Sequence, residues 1–147
     1  SSAPLGIKVE WTAARTNTVG KGEIALSPED PSIIFYRKNP LYGIECQKAL
    51  SGTVSLENSK EMTVIGEPFY YGTLNQTSLD LTYKWSINGT PINNEPNQNL
   101  ETFRQQDNSS GLSNISLSIE NSNKILEYAT NNFNLKFGSN QNTQAAF

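Results

Sequence analysis

The chain has 147 residues, a formal net charge of −3 and no histidine. A chain of this length buries roughly two thirds of its unfolded surface as one domain. The absence of histidine excludes a Ser-His-Asp triad and any histidine-ligated metal site. The basic residues are scattered along the chain, so no basic face predicts a nucleic-acid partner.

The composition favours strands over helices. Asn, Ser and Thr make up about a third of the residues, well above ordinary usage, and Gly and Pro recur at short intervals. Such a chain predicts many short strands joined by polar turns. No apolar run approaches the ~20 residues of a membrane span, so no membrane insertion is predicted. The start at Ser1-Ser2-Ala3-Pro4 is typical of a secreted chain after signal-peptide removal, which predicts an extracellular or cell-surface location.

The first predicted element is a strand over residues 5–13. Its apolar positions alternate with Gly, Lys, Glu and Thr, which indicates one apolar face; they are Leu5, Ile7, Val9, Trp11 and Ala13. The polar residues 15–22 are interpreted as a linker or long loop. Two interpretations stay open for the strand. It either belongs to the sandwich of its own chain or is an N-terminal extension that completes a neighbour's sheet.

The next part of the chain predicts two further strands. Residues 23–26 form a short strand that ends at the proline-containing turn 27–31, because each proline fixes φ and removes a donor. Glu29 and Asp30 in this turn are interpreted as solvated, since a calcium site needs more oxygens at set spacing. The apolar run 32–36 predicts a strand buried between layers.

The stretch 41–50 fits either a short helix or a strand, and the strand is favoured. It holds Cys46, the single cysteine, so no internal disulfide is possible. The favoured interpretation of Cys46 is a small buried hydrophobe, and the alternative is a reactive or intermolecular thiol. Farther on, residues 66–68 (Gly-Glu-Pro) are predicted to interrupt a strand, which suggests a bulge or an edge.

The clearest strand is residues 79–87, where every second residue is apolar up to Asn88-Gly89. This dipeptide predicts a type I′ turn, which needs positive φ at both central residues. Trp85 brings a large apolar area into mid-strand and predicts a core around it. Two later stretches alternate in the same way. Together these strands predict a core of Leu81, Tyr83, Trp85, Ile87, Ile115, Leu117, Ile119, Phe133, Leu135 and Phe137.

The run Tyr83-Lys-Trp-Ser-Ile-Asn-Gly-Thr-Pro-Ile92, with the paired late strands, resembles the Ig-like and PKD-like sandwiches of microbial surface proteins. The resemblance implies an all-β, Ig-like Greek-key β-sandwich with an N-terminal extension strand. Ser-Ile-Asn-Gly stands where an Asp-Gly turn is usual, and the Ig disulfide is missing. The predicted parts are residues 1–22 (strand and linker), 23–138 (sandwich) and 139–147 (polar tail).

Such domains serve as spacers, adhesins, polymer subunits and sugar binders alike. The first hypothesis is a non-enzymatic extracellular subunit that binds other copies of itself in a surface filament or pilus-like appendage. Its donor strand would carry Leu5, Ile7, Val9, Trp11 and Ala13. The alternative is a carbohydrate-binding or adhesin module whose partners are surface glycans, with Tyr70, Tyr71 and Trp11 as candidate stacking residues. No cofactor, metal or catalytic residue is predicted, because the carboxylates are scattered without a marked pair.

Overall fold

The computed structural model describes residues 5–27, 29–56, 59–72, 80–93, 98–106 and 110–138. Strands take up 68% of these residues, and none of them is helical. The chain divides into two compact units, Ser1–Asp30 and Pro31–Phe147. The division therefore lies at Asp30 rather than at the predicted boundary after Gly22. The predicted polar tail, residues 139–147, lies outside the described residues.

The first unit contains an antiparallel hairpin of β1 (Leu5–Thr12) and β2 (Val19–Leu26). Its register runs without a shift from Leu5 opposite Leu26 to Thr12 opposite Val19. The turn is closed by a 3.0 Å hydrogen bond from the Ala13 N–H to the Thr18 carbonyl. Asn17 adopts a φ of 54° in this turn, a left-handed conformation that asparagine tolerates.

The linker predicted over residues 15–22 is wrong for its second half, because Val19–Gly22 begin β2. The sequence interpretation took this stretch as a polar linker or long loop. Gly20 instead lies directly opposite Trp11, and a Cβ at Gly20 would overlap the indole ring. The glycine is needed because the tryptophan packs closely against the neighbouring backbone.

The second unit consists of two sheets. Its strands are β3 (Ser32–Asn39), β4 (Gly43–Leu50), β5 (Thr53–Ser55), β6 (Glu61–Phe69), β7 (Leu81–Ile87), β8 (Thr90–Pro91), β9 (Leu100–Arg104), β10 (Gly111–Asn121) and β11 (Tyr128–Phe137). One sheet has the order β5-β11-β10-β7-β8 and the other β4-β3-β6-β9. Only the β5–β11 pair among them is parallel. The two sheets pack together in the manner of a β-sandwich.

The core lies between these sheets. Phe35 of β3 packs against two rings of the five-stranded sheet, with centroid distances of 5.8 Å to Trp85 and 5.1 Å to Phe133. Ile87 and Phe137 are partly buried against this core. The other predicted core residues are buried within it: Leu81, Tyr83, Trp85, Ile115, Leu117, Ile119, Phe133 and Leu135.

The turn after β7 is the predicted one. Asn88 and Gly89 have φ angles of 49° and 80°, and Ile87 pairs with Thr90 across them. Positive φ at both central residues gives the twist that two antiparallel strands need. The prediction of a two-residue hairpin turn at Asn88-Gly89 is confirmed.

The predicted interruption at residues 66–68 is wrong, since β6 runs unbroken from Glu61 to Phe69. The pairing of β9 with β6 extends only as far as Ile65 opposite Leu100. Pro68 lies beyond the end of β9, so its missing N–H removes no bond to that strand. Gly66 faces the other sheet, and a Cβ there would overlap the Leu117 side chain.

Residues 43–50 form a strand, as favoured, and β4 is the outermost strand of its sheet. Cys46 is exposed on it, so the favoured interpretation of a buried cysteine is wrong. An edge strand has a neighbour on one side only, which leaves more of its side chains in water. No helix within the described ranges has the length and apolarity that a membrane span requires.

The strand directions fix where the chain passes through the sandwich. Asn131 near the start of β11 donates to the Ile33 carbonyl near the start of β3, at 2.7 Å. Two residues farther along each strand, Phe133 packs against Phe35 with a centroid distance of 5.1 Å, so the two strands run the same way. We call the end where both begin the proximal end, and the opposite one the distal end. The chain enters the sandwich at the proximal end, and β11 ends at the distal end.

Candidate interaction surfaces

The hairpin has one apolar face. Residues directly opposite each other in a sheet project from the same face, and the β1–β2 register places six large apolar side chains together. We call this set the apolar hairpin face: Leu5, Ile7, Val9, Trp11, Ile24 and Leu26. Their exposed fractions lie between 39% and 61%. A contiguous exposed apolar surface of this kind is typical of a protein contact site.

The opposite face of the hairpin is polar. Lys8 lies opposite Glu23, and Lys21 and Glu10 form an ion pair of 3.1 Å. On the apolar side the Trp11 indole extends across Gly20, and a Cβ at Gly22 would come within 3.8 Å of it. A two-stranded hairpin is marginally stable in water unless its apolar face is covered.

The structure pairs the predicted donor strand with β2 over its whole length. Four of the predicted donor residues lie on the apolar hairpin face: Leu5, Ile7, Val9 and Trp11. Ala13 follows β1 and belongs to the turn. β1 is therefore one arm of a hairpin rather than an isolated strand. An element donated to a neighbour would be the complete hairpin.

The β4 strand offers an unoccupied edge. Within the described ranges only β3 pairs with it. Cys46 and Lys48 are exposed along this strand, and its outer edge presents main-chain N–H and C=O groups. Such an edge is a template on which another strand can pair.

A third surface is the outward side of the five-stranded sheet, which we call the polar sheet face. Register places its side chains in rows across β7, β10 and β11. Successive rows are Thr82-Glu120-Tyr128, Lys84-Ser118-Thr130 and Ser86-Ser116-Asn132. Lys84 and Glu120 form an ion pair of 2.7 Å between neighbouring rows, and the Thr130 hydroxyl lies 3.1 Å from that of Ser118. The middle of this face therefore carries mostly hydroxyl groups.

A cleft of about 370 Å³ opens at the proximal end of the polar sheet face. It is lined by Thr82, Glu120, Asn121, Ser122, Ile125 and Tyr128. A shallower depression of about 660 Å³ continues from Thr82 along Lys84 and Ser86. Thr82 lines both hollows, so they adjoin each other on the outward side of β7.

The turn that walls this cleft, residues 122–127, is tied down on several sides. The Glu127 carboxylate accepts hydrogen bonds from the Gly72 N–H at 3.0 Å and from the Asn121 side chain at 2.8 Å. The Gly72 bond is the main reason why the pKa of Glu127 is lowered. Lys124 also donates to the Gly72 carbonyl at 3.1 Å, and Asn123 donates to Asp80 at 2.7 Å. Contacts from three directions hold this turn in one conformation.

The aromatic residues predicted as stacking candidates do not form one platform. The Tyr71 hydroxyl donates to the Ile119 carbonyl at 3.0 Å, and burial raises its pKa to about 12. Tyr70 is exposed with a φ of 63°, and Trp11 belongs to the hairpin. Sequence reasoning missed Tyr128, which is 63% exposed beside Glu120.

Among the described residues, no three His, Cys, Asp or Glu side chains are grouped so that they could hold a metal ion. No family model matches the chain, and neither does any curated protein or solved structure. The resemblance to Ig-like and PKD-like domains therefore stays a prediction. The functional argument rests on the surfaces described above.

Proposed function

We propose that this protein is a non-enzymatic, extracellular structural module that binds other copies of itself in a surface filament. The single observation that carries the proposal is the apolar hairpin face, whose six large side chains remain exposed. A second copy can cover that face on every molecule, without a different partner. A head-to-tail contact of this kind need not close into a ring, and an open series of such contacts gives a filament.

The energetic case rests on apolar burial. Complete burial of an Ile, Leu or Val side chain contributes about 1.5–3 kcal/mol. Ile7 and Ile24 lie directly opposite each other in the hairpin, so a partner that covers one covers the other. Covering part of each of the six side chains offsets the loss of freedom on association.

Strand addition provides the contact geometry. The acceptor in this proposal is the outer edge of β4 in the next copy. β1 and β4 each have eight residues, so one edge can pair with the other along its full length. Main-chain hydrogen bonds would give the contact its affinity and the alternating side chains its register.

The sandwich supports a role in a linear assembly. β3 begins at the proximal end and β11 ends at the distal end, so the chain passes through the domain from one end to the other. The step from β4 in one sheet to β5 in the other, and the parallel β5–β11 pair, support an Ig-like Greek-key arrangement. Domains of this kind suit spacers and polymer subunits.

The test compares two pairs of substitutions in adjacent rungs of the hairpin. The first variant carries Ile7→Thr and Ile24→Thr, which make the apolar hairpin face polar. The matched control carries Lys8→Thr and Glu23→Thr, which lie on the opposite face and leave the net charge unchanged. Threonine is favoured in strands, so both variants keep the hairpin. Light scattering after gel filtration and electron microscopy measure the assembly.

The wild-type chain and the control should self-associate with rising concentration. The Ile7→Thr/Ile24→Thr variant should bind other copies about a hundredfold more weakly, since two buried isoleucines are lost from each contact. A wild-type chain that stays monomeric at high concentration contradicts the proposal. Equal assembly of both variants contradicts it as well.

A further inference from the structure

The second functional surface is the cleft at the proximal end of the polar sheet face. We infer that this cleft and the depression beside it bind a neutral saccharide chain, with Tyr128 as the stacking residue. This activity goes beyond self-association and does not depend on the apolar hairpin face.

The walls of the cleft match the two kinds of surface that a sugar ring presents. A pyranose has C–H groups on its faces and hydroxyl groups around its edge. Tyr128 offers an exposed aromatic ring and Ile125 an exposed aliphatic side chain, which suit the C–H face. The Glu120 carboxylate and the Thr82 hydroxyl line the same cleft, and they accept or exchange hydrogen bonds with sugar hydroxyls.

The charge of the cleft favours a neutral ligand. Glu120 is the carboxylate in the row next to Tyr128, and Lys84 neutralises it at 2.7 Å. Both side chains stay about half exposed, at 48% for Glu120 and 58% for Lys84. Their remaining hydrogen-bonding positions therefore reach solvent. This ion pair carries no net charge that would attract an ionised ligand, and a nucleic acid would need several more cations.

The rows of hydroxyl and amide groups extend the site along the sheet. Beyond Glu120 the face continues with Ser118 and Thr130, then with Ser116 and Asn132. Hydroxyl and amide side chains act both as donors and as acceptors. The depression beside the cleft includes Ser116 and Ser118 of these rows and extends along β7 on the side of β8. A chain of several sugar units fits this path better than a single small molecule does.

The cleft exists before a ligand binds. Glu127 ties residues 122–127 to Gly72, and Asn123 ties them to Asp80. Ile125 is 89% exposed on this fixed turn. Binding to a preformed wall costs less conformational entropy than ordering a mobile loop does.

The test uses neutral oligosaccharides of defined linkage as probes: glucans, mannans, galactans and chitin fragments. Isothermal titration and retardation in gels that contain the matching polysaccharide measure binding to the full chain. Tyr128→Ala should weaken binding about tenfold or more, because it removes the stacking contact. Tyr42→Ala is the matched control, since Tyr42 is 84% exposed at the β3–β4 turn, outside the cleft.

Glu120→Gln should also weaken binding while the fold, followed by circular dichroism, stays intact. Binding of none of the neutral probes overturns the inference. It is overturned equally if Tyr128→Ala and Tyr42→Ala bind alike, or if only acidic saccharides bind. The Ile7→Thr/Ile24→Thr variant should keep its saccharide affinity. This result separates failure of the cleft from failure of the assembly contact.

Discussion

The Asn131 side chain donates a hydrogen bond of 2.7 Å to the main-chain carbonyl of Ile33, and this bond joins the two sheets. β4 pairs with β3 only from Phe35 onward, so it offers no partner to the Ile33 carbonyl. Asn131 lies opposite Leu117, a core residue, and so faces the other sheet. The Asn131 amide thus donates a hydrogen bond to the Ile33 carbonyl, which has no partner on β4.

Replacing Asn131 by alanine should destabilise the sandwich by about 1–3 kcal/mol, because a partly buried carbonyl loses its donor. The matched control is Asn132→Ala, the exposed neighbour on the polar sheet face, which should change the stability by less than about 0.5 kcal/mol. Urea unfolding measures both. Equal effects of the two substitutions would show that the bond between the sheets contributes nothing to stability.

Replacing Trp85 by alanine should cost about 3–5 kcal/mol, which is typical of large-to-small changes in a core. The indole lies 5.8 Å from Phe35 and 5.9 Å from Phe103 between ring centroids. Its N–H also donates to the Gln98 carbonyl at 3.2 Å. The second tryptophan provides the control, since Trp11 is 56% exposed in the hairpin. Trp11→Ala should leave the unfolding of the sandwich unchanged, and a loss below about 1 kcal/mol for Trp85→Ala would contradict its central position.

Two tyrosines should make the folded state lose stability at alkaline pH. Burial raises the pKa of Tyr71 and of Tyr83 from 10.0 to about 12, and the charge of Glu67 adds to the rise at Tyr83. The folded state thus holds these phenolic protons more tightly than the unfolded chain does. The protonated tyrosines contribute fully to the free energy of unfolding below about pH 10, and this contribution is lost as the pH rises towards about 12.

Urea unfolding over this pH range measures the loss, and absorbance of the phenolate follows the titration. Tyr71→Phe should flatten the pH dependence, because a phenylalanine has no proton to release. A folded chain in which both tyrosines ionise at the same pH as in urea would contradict the expectation.

The core and the apolar side of β1 could be predicted from sequence, whereas the pairing of β1 with β2 and the cleft could not. Strict alternation around Trp85 identifies the inward residues, since the side chains of a strand change face at every step. The hairpin was not predicted because the residues around Gly20 were interpreted as a loop. The sequence does not show that the Trp11 ring lies across Gly20. The cleft could not be predicted because its wall depends on a hydrogen bond between Gly72 and Glu127, which are 55 residues apart in sequence.

The sequence of a single strand also does not show whether that strand lies at the edge of its sheet. The alternation in β4 resembles that of a covered strand, and only the order of the sheet shows that Cys46 is at its edge. This exposed thiol makes β4 a natural reporter of strand addition. The reporter applies to the proposed contact between the outer edge of β4 and the β1 strand of another copy.

Single cysteines placed along β1, by Ile7→Cys, Lys8→Cys, Val9→Cys or Glu10→Cys, should crosslink to Cys46 of another copy in an alternating pattern. Directly opposite residues in adjacent strands have Cβ atoms about 4.5–5.5 Å apart, and only every second residue shares a face. A disulfide needs Cβ atoms about 3.5–4.5 Å apart, which a small shift of the strands provides.

Mild oxidation followed by non-reducing electrophoresis shows which positions form dimers and larger species. The same variants with Cys46→Ser control for bonds between two introduced cysteines. If β1 lies along β4, the position directly opposite Cys46 crosslinks strongly, the position two residues away on the same face crosslinks weakly, and the two positions on the other face do not crosslink. Equal crosslinking at all four positions indicates random collision and contradicts a fixed register between the two strands.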